Sequence, residues 1–175
     1  WTGWTWNRDL FPNPQGFLKY LKQNNVKVTL NLHPADGVAA YEENYTEMAK
    51  DMGVDPETKK TIPWVNSDKK FIRSMFKNIL GPMEKDGVDF WWLDWQQGMF
   101  DPKMKNLSNT WWINYAFFSD MEKRRETRPM LYHRWGGLGN HRYQVGFSGD
   151  AVISWKSLDF QPYFNSTASN VLYGY

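Results

Sequence analysis

The fold of this chain is decided by residues 88–98, VDFWWLDWQQG. This is a short apolar and aromatic run that ends in a carboxylate, Asp94, and is followed by a loop that reaches Gly98. A buried strand carries no charge unless the charge is paired or has a chemical task. The segment therefore predicts a buried strand over residues 88–94, with Asp94 at its carboxyl end, on the floor of a pocket walled by indole rings.

Three other segments have the pattern of strands, and helical patterns lie between them. Residues 26–32 alternate with β-branched side chains, and residues 129–133 and 144–147 are short runs of the same kind. Apolar spacing and helix end signals predict helices at about residues 17–21, 41–52, 67–80, 110–125 and 157–168.

Strands that alternate with helices are typical of βαβ units and a parallel sheet. The predicted strands end in polar residues, namely His33 and Asp36, Asp94, Arg134, and Asp150. Active sites of (β/α)8 barrels lie at the carboxyl ends of the strands. A doubly wound sheet also binds ligands there, but no GxGxxG pattern follows any strand of this sequence. We therefore predict an α/β fold, part of a (β/α)8 TIM barrel.

The length of the chain sets the extent of that barrel. A complete barrel has about 250 residues, whereas this chain has 175 and begins and ends abruptly at Trp1 and Tyr175. We expect residues 1–175 to be a fragment of a (β/α)8-barrel catalytic domain, roughly strands 3–6 with their helices. The rest of the catalytic domain is then expected beyond both ends, and the fragment alone is expected to be inactive.

Composition narrows the class of partner. A formal net charge of +2, with basic residues scattered among acids, argues against nucleic acid and anionic membranes as partners. No apolar stretch approaches the ~20 residues of a membrane span, which favours a soluble protein, cytoplasmic or secreted. The absence of cysteine excludes disulfides and thiolate metal sites. The 11 Trp, 9 Tyr and 11 Phe favour stacking on flat, weakly polar ligand faces such as those of sugars.

Asp94 and Asp150 form the natural catalytic pair of this sequence. Cleavage of a glycosidic bond needs one carboxylate at the anomeric centre and one acid that protonates the leaving oxygen. Adjacent strand ends bring two such positions together although they lie far apart along the chain. Taken singly, each carboxylate is also typical of a helix N-cap or a loop hydrogen bond.

The residues around both carboxylates resemble glycoside hydrolase family 31. The run Trp92-Leu93-Asp94-Trp95-Gln96-Gln97 stands where that family has a nucleophile motif of the type Trp-hydrophobic-Asp-Met-Asn-Glu. Residues 134–150, RWGGLGNHRYQVGFSGD, resemble its second signature, an Arg followed by a Gly-rich stretch and an acidic end. The resemblance covers nearly the whole chain and departs from the common form at residues 95–97.

The resemblance implies retaining chemistry on α-glycosides, with α-glucosides or their oligosaccharides as the favoured substrate class. It assigns Asp94 as nucleophile, Asp150 as general acid/base, and Trp92 and Arg134 to the sugar pocket. Retention predicts a separation of about 5–5.5 Å between the two carboxyl groups. It implies no cofactor and no metal, and it places a further Asp and a His of the family beyond Tyr175.

Five more residues are candidates for sugar binding. Trp95 neighbours the nucleophile at the point of departure from the family, and Phe147 lies in the second signature. His33 is more typical of a hydrogen-bonded histidine at a strand end, and Asp36 of a turn residue. Arg142 fits ligand contact and loop bracing equally well.

Two histidines and a tryptophan pair have plainer interpretations. His133 and His141 do not form a metal motif, because no acid lies at ligand spacing. The pair Trp111-Trp112 is predicted to start a helix and to pack in the core rather than to stack on sugar.

Several functions share these residues. The same site is expected in an α-xylosidase, an α-galactosidase, an α-N-acetylgalactosaminidase or a transglycosylase. A non-catalytic carbohydrate-binding protein would use the aromatic residues without the two acids.

Overall fold

The computed structural model describes residues 1–95, 98–135 and 139–171, without the side chains of 169–171. Within these ranges the chain forms a four-stranded sheet with helices around it. The strands are β1 (Thr29–Leu32), β2 (Phe90–Leu93), β3 (Leu131–His133) and β4 (Val145–Gly146).

The helices lie between and after the strands. They are α1 (Pro14–Gln23), α2 (Tyr45–Met52), α3 (Lys69–Met75), α4 (Gly81–Asp86), α5 (Asn109–Arg124) and α6 (Trp155–Val171). A π-helical turn, Phe76–Leu80, joins α3 to α4, and 3-10 turns occupy Pro34–Asp36, Pro56–Thr58 and Asn140–Arg142. None of the helices in the described ranges combines the length and the apolar character that a membrane crossing requires.

All neighbouring strands are parallel, and their order in the sheet is β1-β2-β3-β4. This order follows the chain, as it does around the wall of a (β/α)8 barrel. A doubly wound sheet instead reverses its strand order at a switch point. The α/β class predicted from the sequence is confirmed, and the sheet is consistent with part of a barrel.

The two faces of the sheet carry different chemistry. Because side chains alternate along a strand, Leu32, Trp91, Leu93 and Leu131 point to the helices and are fully buried. They form one hydrophobic cluster with helix residues that are also fully buried, Met48, Phe71, Met75, Ile79, Ile113 and Phe117. The other face, which we call the inner face, carries Asn31, Trp92, Tyr132 and Phe147, all half-buried.

The first strand is shorter than predicted because a side chain replaces backbone hydrogen bonding between β1 and β2 at its start. We predicted strand from residue 26, but β1 begins at Thr29. The Asp89 carboxylate accepts a hydrogen bond from the Val28 N–H at 2.9 Å, and the Asp89 N–H donates to the Val28 carbonyl at 2.9 Å. Asp89 therefore closes the start of the β1–β2 pair, and regular pairing begins one residue later, at Thr29 and Phe90.

The helix predicted over residues 67–80 begins as expected and continues further. The Asp68 side chain caps α3, accepting from the N–H groups of Lys70 (2.8 Å) and Phe71 (3.3 Å). Beyond Leu80 the chain stays helical to Asp86 because the π-helical turn widens the helix before Pro82. Proline has no N–H and its ring crowds the preceding turn, so a wider turn at this point relieves both problems.

A buried carboxylate joins the helix layer to the sheet. Glu84 of α4 accepts a hydrogen bond from the indole N–H of Trp91 at 2.8 Å. It also pairs with Arg124 at 2.8 Å and Arg125 at 2.8 Å at the end of α5. Burial raises the pKa of Glu84, but the hydrogen bonds and charges of these partners outweigh burial and bring it below its ordinary value. One side chain thus connects α4, β2 and α5.

The substitution Glu84→Gln should destabilise the full-length protein by about 2–3 kcal/mol, because it leaves two partly buried arginines short of a partner. The folded pKa of Glu84 is lowered, so its contribution is complete at neutral pH and is lost as pH falls through that pKa. The free energy of unfolding, measured with denaturant between pH 7 and pH 3, should therefore fall less steeply with decreasing pH in the variant than in the wild type. The matched control is Glu122→Gln on the exposed face of α5, which should leave stability unchanged. Equal stability of Glu84→Gln and the wild type at pH 7 would contradict this role.

Candidate active site

The carboxylate of Asp94 lies at the carboxyl end of β2 and is almost completely buried, with the residue 3% exposed. Its backbone N–H donates to the Leu32 carbonyl at 3.1 Å, which fixes the main chain beside the end of β1. One carboxylate oxygen, Oδ1, accepts from Nε of Arg134. The other, Oδ2, accepts from Nδ2 of Asn31 at 2.9 Å and lies 3.5 Å from Nε2 of His33.

Arg134 joins the two predicted catalytic carboxylates. It follows β3, where its N–H donates to the Leu93 carbonyl at 3.0 Å. Its Nε contacts Asp94, while Nη1 and Nη2 lie 3.3 Å and 3.5 Å from the two carboxylate oxygens of Asp150. Burial lowers the pKa of Arg134, but hydrogen bonds to both carboxylates outweigh burial and raise it above its usual value. The guanidinium therefore stays charged and connects the two acids.

The two carboxylates lie in different surroundings. Asp94 is enclosed, whereas the side chain of Asp150 is 79% exposed on the loop after β4. The two carboxylates therefore differ in their access to solvent and in how firmly their side chains are held.

Aromatic rings hold the Arg134 guanidinium. Its central carbon lies 4.6 Å from the ring centroid of Phe147 and 5.6 Å from that of Trp95. These distances are those of cation–π contacts. Trp95 in turn meets Trp135 edge-on at 6.4 Å, and both indoles are about 40% exposed. Two exposed indoles therefore stand beside the buried ion pair.

A second aromatic group covers the inner face of the sheet. Trp92 stacks on Tyr132 at 4.8 Å and meets Phe147 edge-on at 5.6 Å, and Tyr132 meets Phe147 at 5.8 Å. The indole Nε1 of Trp92 is buried and has no hydrogen-bond partner within the described residues. Trp92, Tyr132 and Phe147 thus form an apolar wall on this face, of the kind that lines ligand sites.

His33 lies beside the predicted nucleophile. Its ring is buried, stands 4.7 Å from the ring of Trp1, and approaches Asp94 through Nε2. Burial lowers the pKa of His33 and outweighs the opposite effect of Asp94, with Arg134 lowering it further. The imidazole is therefore neutral at pH 7 and brings polarity, not charge, to Asp94.

Some of the predicted residues lie at the edge of this cluster or outside the described ranges. Asp36 and Arg142 are exposed in 3-10 turns, and in the described part of the chain neither contacts Asp94, Arg134 or Asp150. Their part in sugar binding stays a prediction. The predicted departure from the family motif covers residues 95–97, of which 96–97 lie outside the described residues, as do residues 136–138 of the predicted second signature.

The remaining histidines take no part in the cluster. His133 is fully buried on the helix side of β3, where its ring contacts the Tyr143 carbonyl (3.3 Å) and Asn140 (3.2 Å). His141 is exposed. Among the described residues, no three His, Asp or Glu side chains come together as metal ligands would.

Sequence reasoning missed three residues of the cluster: Asn31, Tyr132 and Trp135. Alternation along β3 would have placed Tyr132 on the same face as Arg134, two residues later. Trp135 directly follows the predicted arginine, so its position near the site could have been predicted from the sequence. Asn31 had no such signal, since its contact with Asp94 depends on the register of β1 against β2, which pairs Asn31 with Trp92.

Comparison with known protein families identifies the family of this chain. The model of the Glycosyl hydrolases family 31 TIM-barrel domain matches residues 1–174. Comparison with curated proteins gave no match. Because the family match spans almost the whole chain, the chain belongs to glycosyl hydrolase family 31 and is part of its TIM-barrel domain.

Proposed function

We propose that this chain carries the catalytic pair of a retaining α-glycoside hydrolase, with Asp94 as nucleophile and Asp150 as general acid/base. The substrate class that we propose is α-glucosides and their oligosaccharides. Membership of the family supports a glycosidase in general. The separate roles of Asp94 and Asp150 and the α-glucoside substrate class are what we propose beyond it.

One observation carries the assignment of roles. The Arg134 guanidinium contacts both carboxylates at once, with Asp94 on Nε and Asp150 on the two terminal nitrogens. A bridging guanidinium holds the two acids close together and orients each of them through different nitrogen atoms. The buried Asp94 is suited to attack from a fixed position, and the exposed Asp150 to protonate a leaving group that departs toward solvent.

The reaction then proceeds in two displacements. In the first, an oxygen of Asp94 bonds to the anomeric carbon, the glycosidic bond breaks, and the proton of Asp150 goes to the leaving oxygen. In the second, Asp150 accepts a proton from water, the water oxygen bonds to the anomeric carbon, and Asp94 leaves as carboxylate. Two inversions at one carbon give retention.

Aromatic side chains supply the binding surface in this proposal. Trp92, with Tyr132 and Phe147, forms the wall beside Asp94, and Trp95 stands on the exposed side of Arg134. Trp95 occupies a position where the family's common motif has a different residue, so we assign it to the choice of sugar. His33 approaches the same carboxylate and completes the floor of the site.

We also propose that the chain acts within a larger barrel. The inner-face residues are only half-buried in this four-stranded sheet, and Ile153 and Trp155 near the start of α6 are almost fully exposed. Large apolar groups at the surface of this kind are normally covered in the folded protein. The sugar pocket is therefore expected to close only in the full-length protein, and the isolated 175-residue chain should show no turnover.

A panel of aryl α-glycosides tests the substrate class. The full-length protein should release the aryl group from the α-glucoside faster than from the α-xyloside, α-galactoside and α-N-acetylgalactosaminide, and should not hydrolyse β-glucosides. Preference for one of the other α-glycosides would correct the sugar and leave the mechanism intact. Binding of all of them without turnover would favour a carbohydrate-binding protein instead.

Azide distinguishes the two carboxylates in the full-length protein. Asp94→Ala should lose more than about 10⁴-fold in kcat, and azide should restore turnover with formation of the β-glycosyl azide, because azide enters in one displacement. Asp150→Ala should lose about 10²–10⁴-fold on poor leaving groups and much less on good ones, and azide should give the α-glycosyl azide. Exchange of these two outcomes would reverse the assigned roles, and full activity of both variants would refute the proposal.

The bridging role of Arg134 predicts that Arg134→Lys lowers kcat/KM about 10²-fold in spite of the conserved charge, because an ammonium cannot present separate nitrogens to two carboxylates. The steady-state kinetics of the full-length variant measure this loss. Arg128→Lys, at an exposed position after α5, is the matched control. An Arg134→Lys variant as active as this control would show that charge alone is sufficient.

A further inference from the structure

We propose that Asn31 is a positioning residue for the nucleophile, because its side-chain amide holds the Asp94 carboxylate in the orientation for attack. The inference rests on the proposed function, in which Asp94 is the nucleophile. It adds a residue of β1 to a site whose other members follow β2, β3 and β4.

The contact is short, and the hydrogen bond can run in only one direction. Nδ2 of Asn31 donates to Oδ2 of Asp94 at 2.9 Å. An ionised carboxylate only accepts hydrogen bonds, so the amide nitrogen and not the amide oxygen must face it. The Asp94 main chain is fixed to the next residue of β1, Leu32, so donor and acceptor are held on neighbouring strands of a rigid sheet. The bond therefore limits rotation of the carboxylate.

Among the described residues, Asn31 makes the shortest contact with Oδ2 of Asp94. From β3, Arg134 contacts the other oxygen and Tyr132 lies on the adjacent inner face; from beyond β4, Asp150 meets Asp94 only through Arg134. His33, at 3.5 Å from Oδ2, is neutral at pH 7 because burial lowers its pKa. One oxygen is thus held by a cation and the other by an uncharged amide.

The two ends of the Asn31 amide are in different situations. Its own Oδ1 is buried and has no hydrogen-bond partner within the described residues. An amide oxygen that is buried without a partner is unfavourable, whereas the amide nitrogen of the same side chain supplies a donor that the buried Asp94 carboxylate needs. This oxygen belongs to the same amide that donates to the nucleophile on the inner face of the sheet.

Two variants of the full-length protein test the inference with an aryl α-glucoside as substrate. Asn31→Leu removes the donor and should lower kcat/KM about 10- to 100-fold, with the loss mainly in kcat. Asn31→Asp has the same shape but places a second carboxylate beside Asp94. A like charge disfavours the ionised form, so the acid limb of the kcat/KM profile should move to higher pH by about one unit or more.

Thr29→Val is the matched control, because Thr29 lies on the same face of β1, also has a buried unpaired side-chain oxygen, and does not contact Asp94 in the described part of the chain. It should retain the wild-type pH profile. If Asn31 were only structural, Asn31→Asp would lose thermal stability and activity without a shift of the acid limb, and this result would overturn the inference. Wild-type kinetics of both Asn31 variants would also overturn it. Loss of turnover in Asp94→Asn under the same conditions would show that the proposed function stands even so, whereas full activity of Asp94→Asn would remove the basis of both.

Discussion

The organisation of this site depends on the cost of burying the Asp94 carboxylate. A charge taken out of water is tolerated only when it is paired and hydrogen-bonded. Here Arg134 supplies the opposite charge on one oxygen and Asn31 supplies a donor on the other. Arg134 becomes available only because β3 ends next to β2, and Asn31 only because β1 lies on the other side. The charge and hydrogen-bonding needs of one buried carboxylate are therefore met by residues from three consecutive parallel strands in register. This dependence links the fold to the chemistry.

Alternation of side chains makes the same sheet serve two purposes. On the helix side, leucines and Trp91 form the apolar core, and Glu84 accepts a hydrogen bond from the Trp91 indole N–H. On the inner face, aromatic rings stand between polar groups, so the surface is apolar enough to cover a sugar ring and polar enough to orient it. The guanidinium of Arg134 lies where these features meet, in contact with Phe147 and Trp95 as well as with both acids.

Much of this arrangement could be predicted from the sequence because its signals are local. The aromatic run that ends in Asp94 identifies a strand end, the alternation of strands and helices indicates a parallel sheet, and the family resemblance links Arg134 to Asp150. The contributions that escaped prediction are those created by register and tertiary contact. The side chain of Asn31 reaches Asp94 from another strand, the capping of Val28 by Asp89 shortens β1, and a widened turn carries a helix up to and past a proline. None of these has a signature in a short window of sequence.

The most direct test of the account is to trap the covalent intermediate. A fluorinated glucosyl fluoride, which forms the glycosyl-enzyme faster than the intermediate breaks down, should inactivate the full-length protein. Peptide mapping by mass spectrometry should then place one glycosyl group on the side chain of Asp94, and the label should be absent from Asp94→Asn. Labelling of a different residue, or rapid catalysis with inversion at the anomeric carbon and no labelled peptide, would contradict the assignment of Asp94 as the nucleophile.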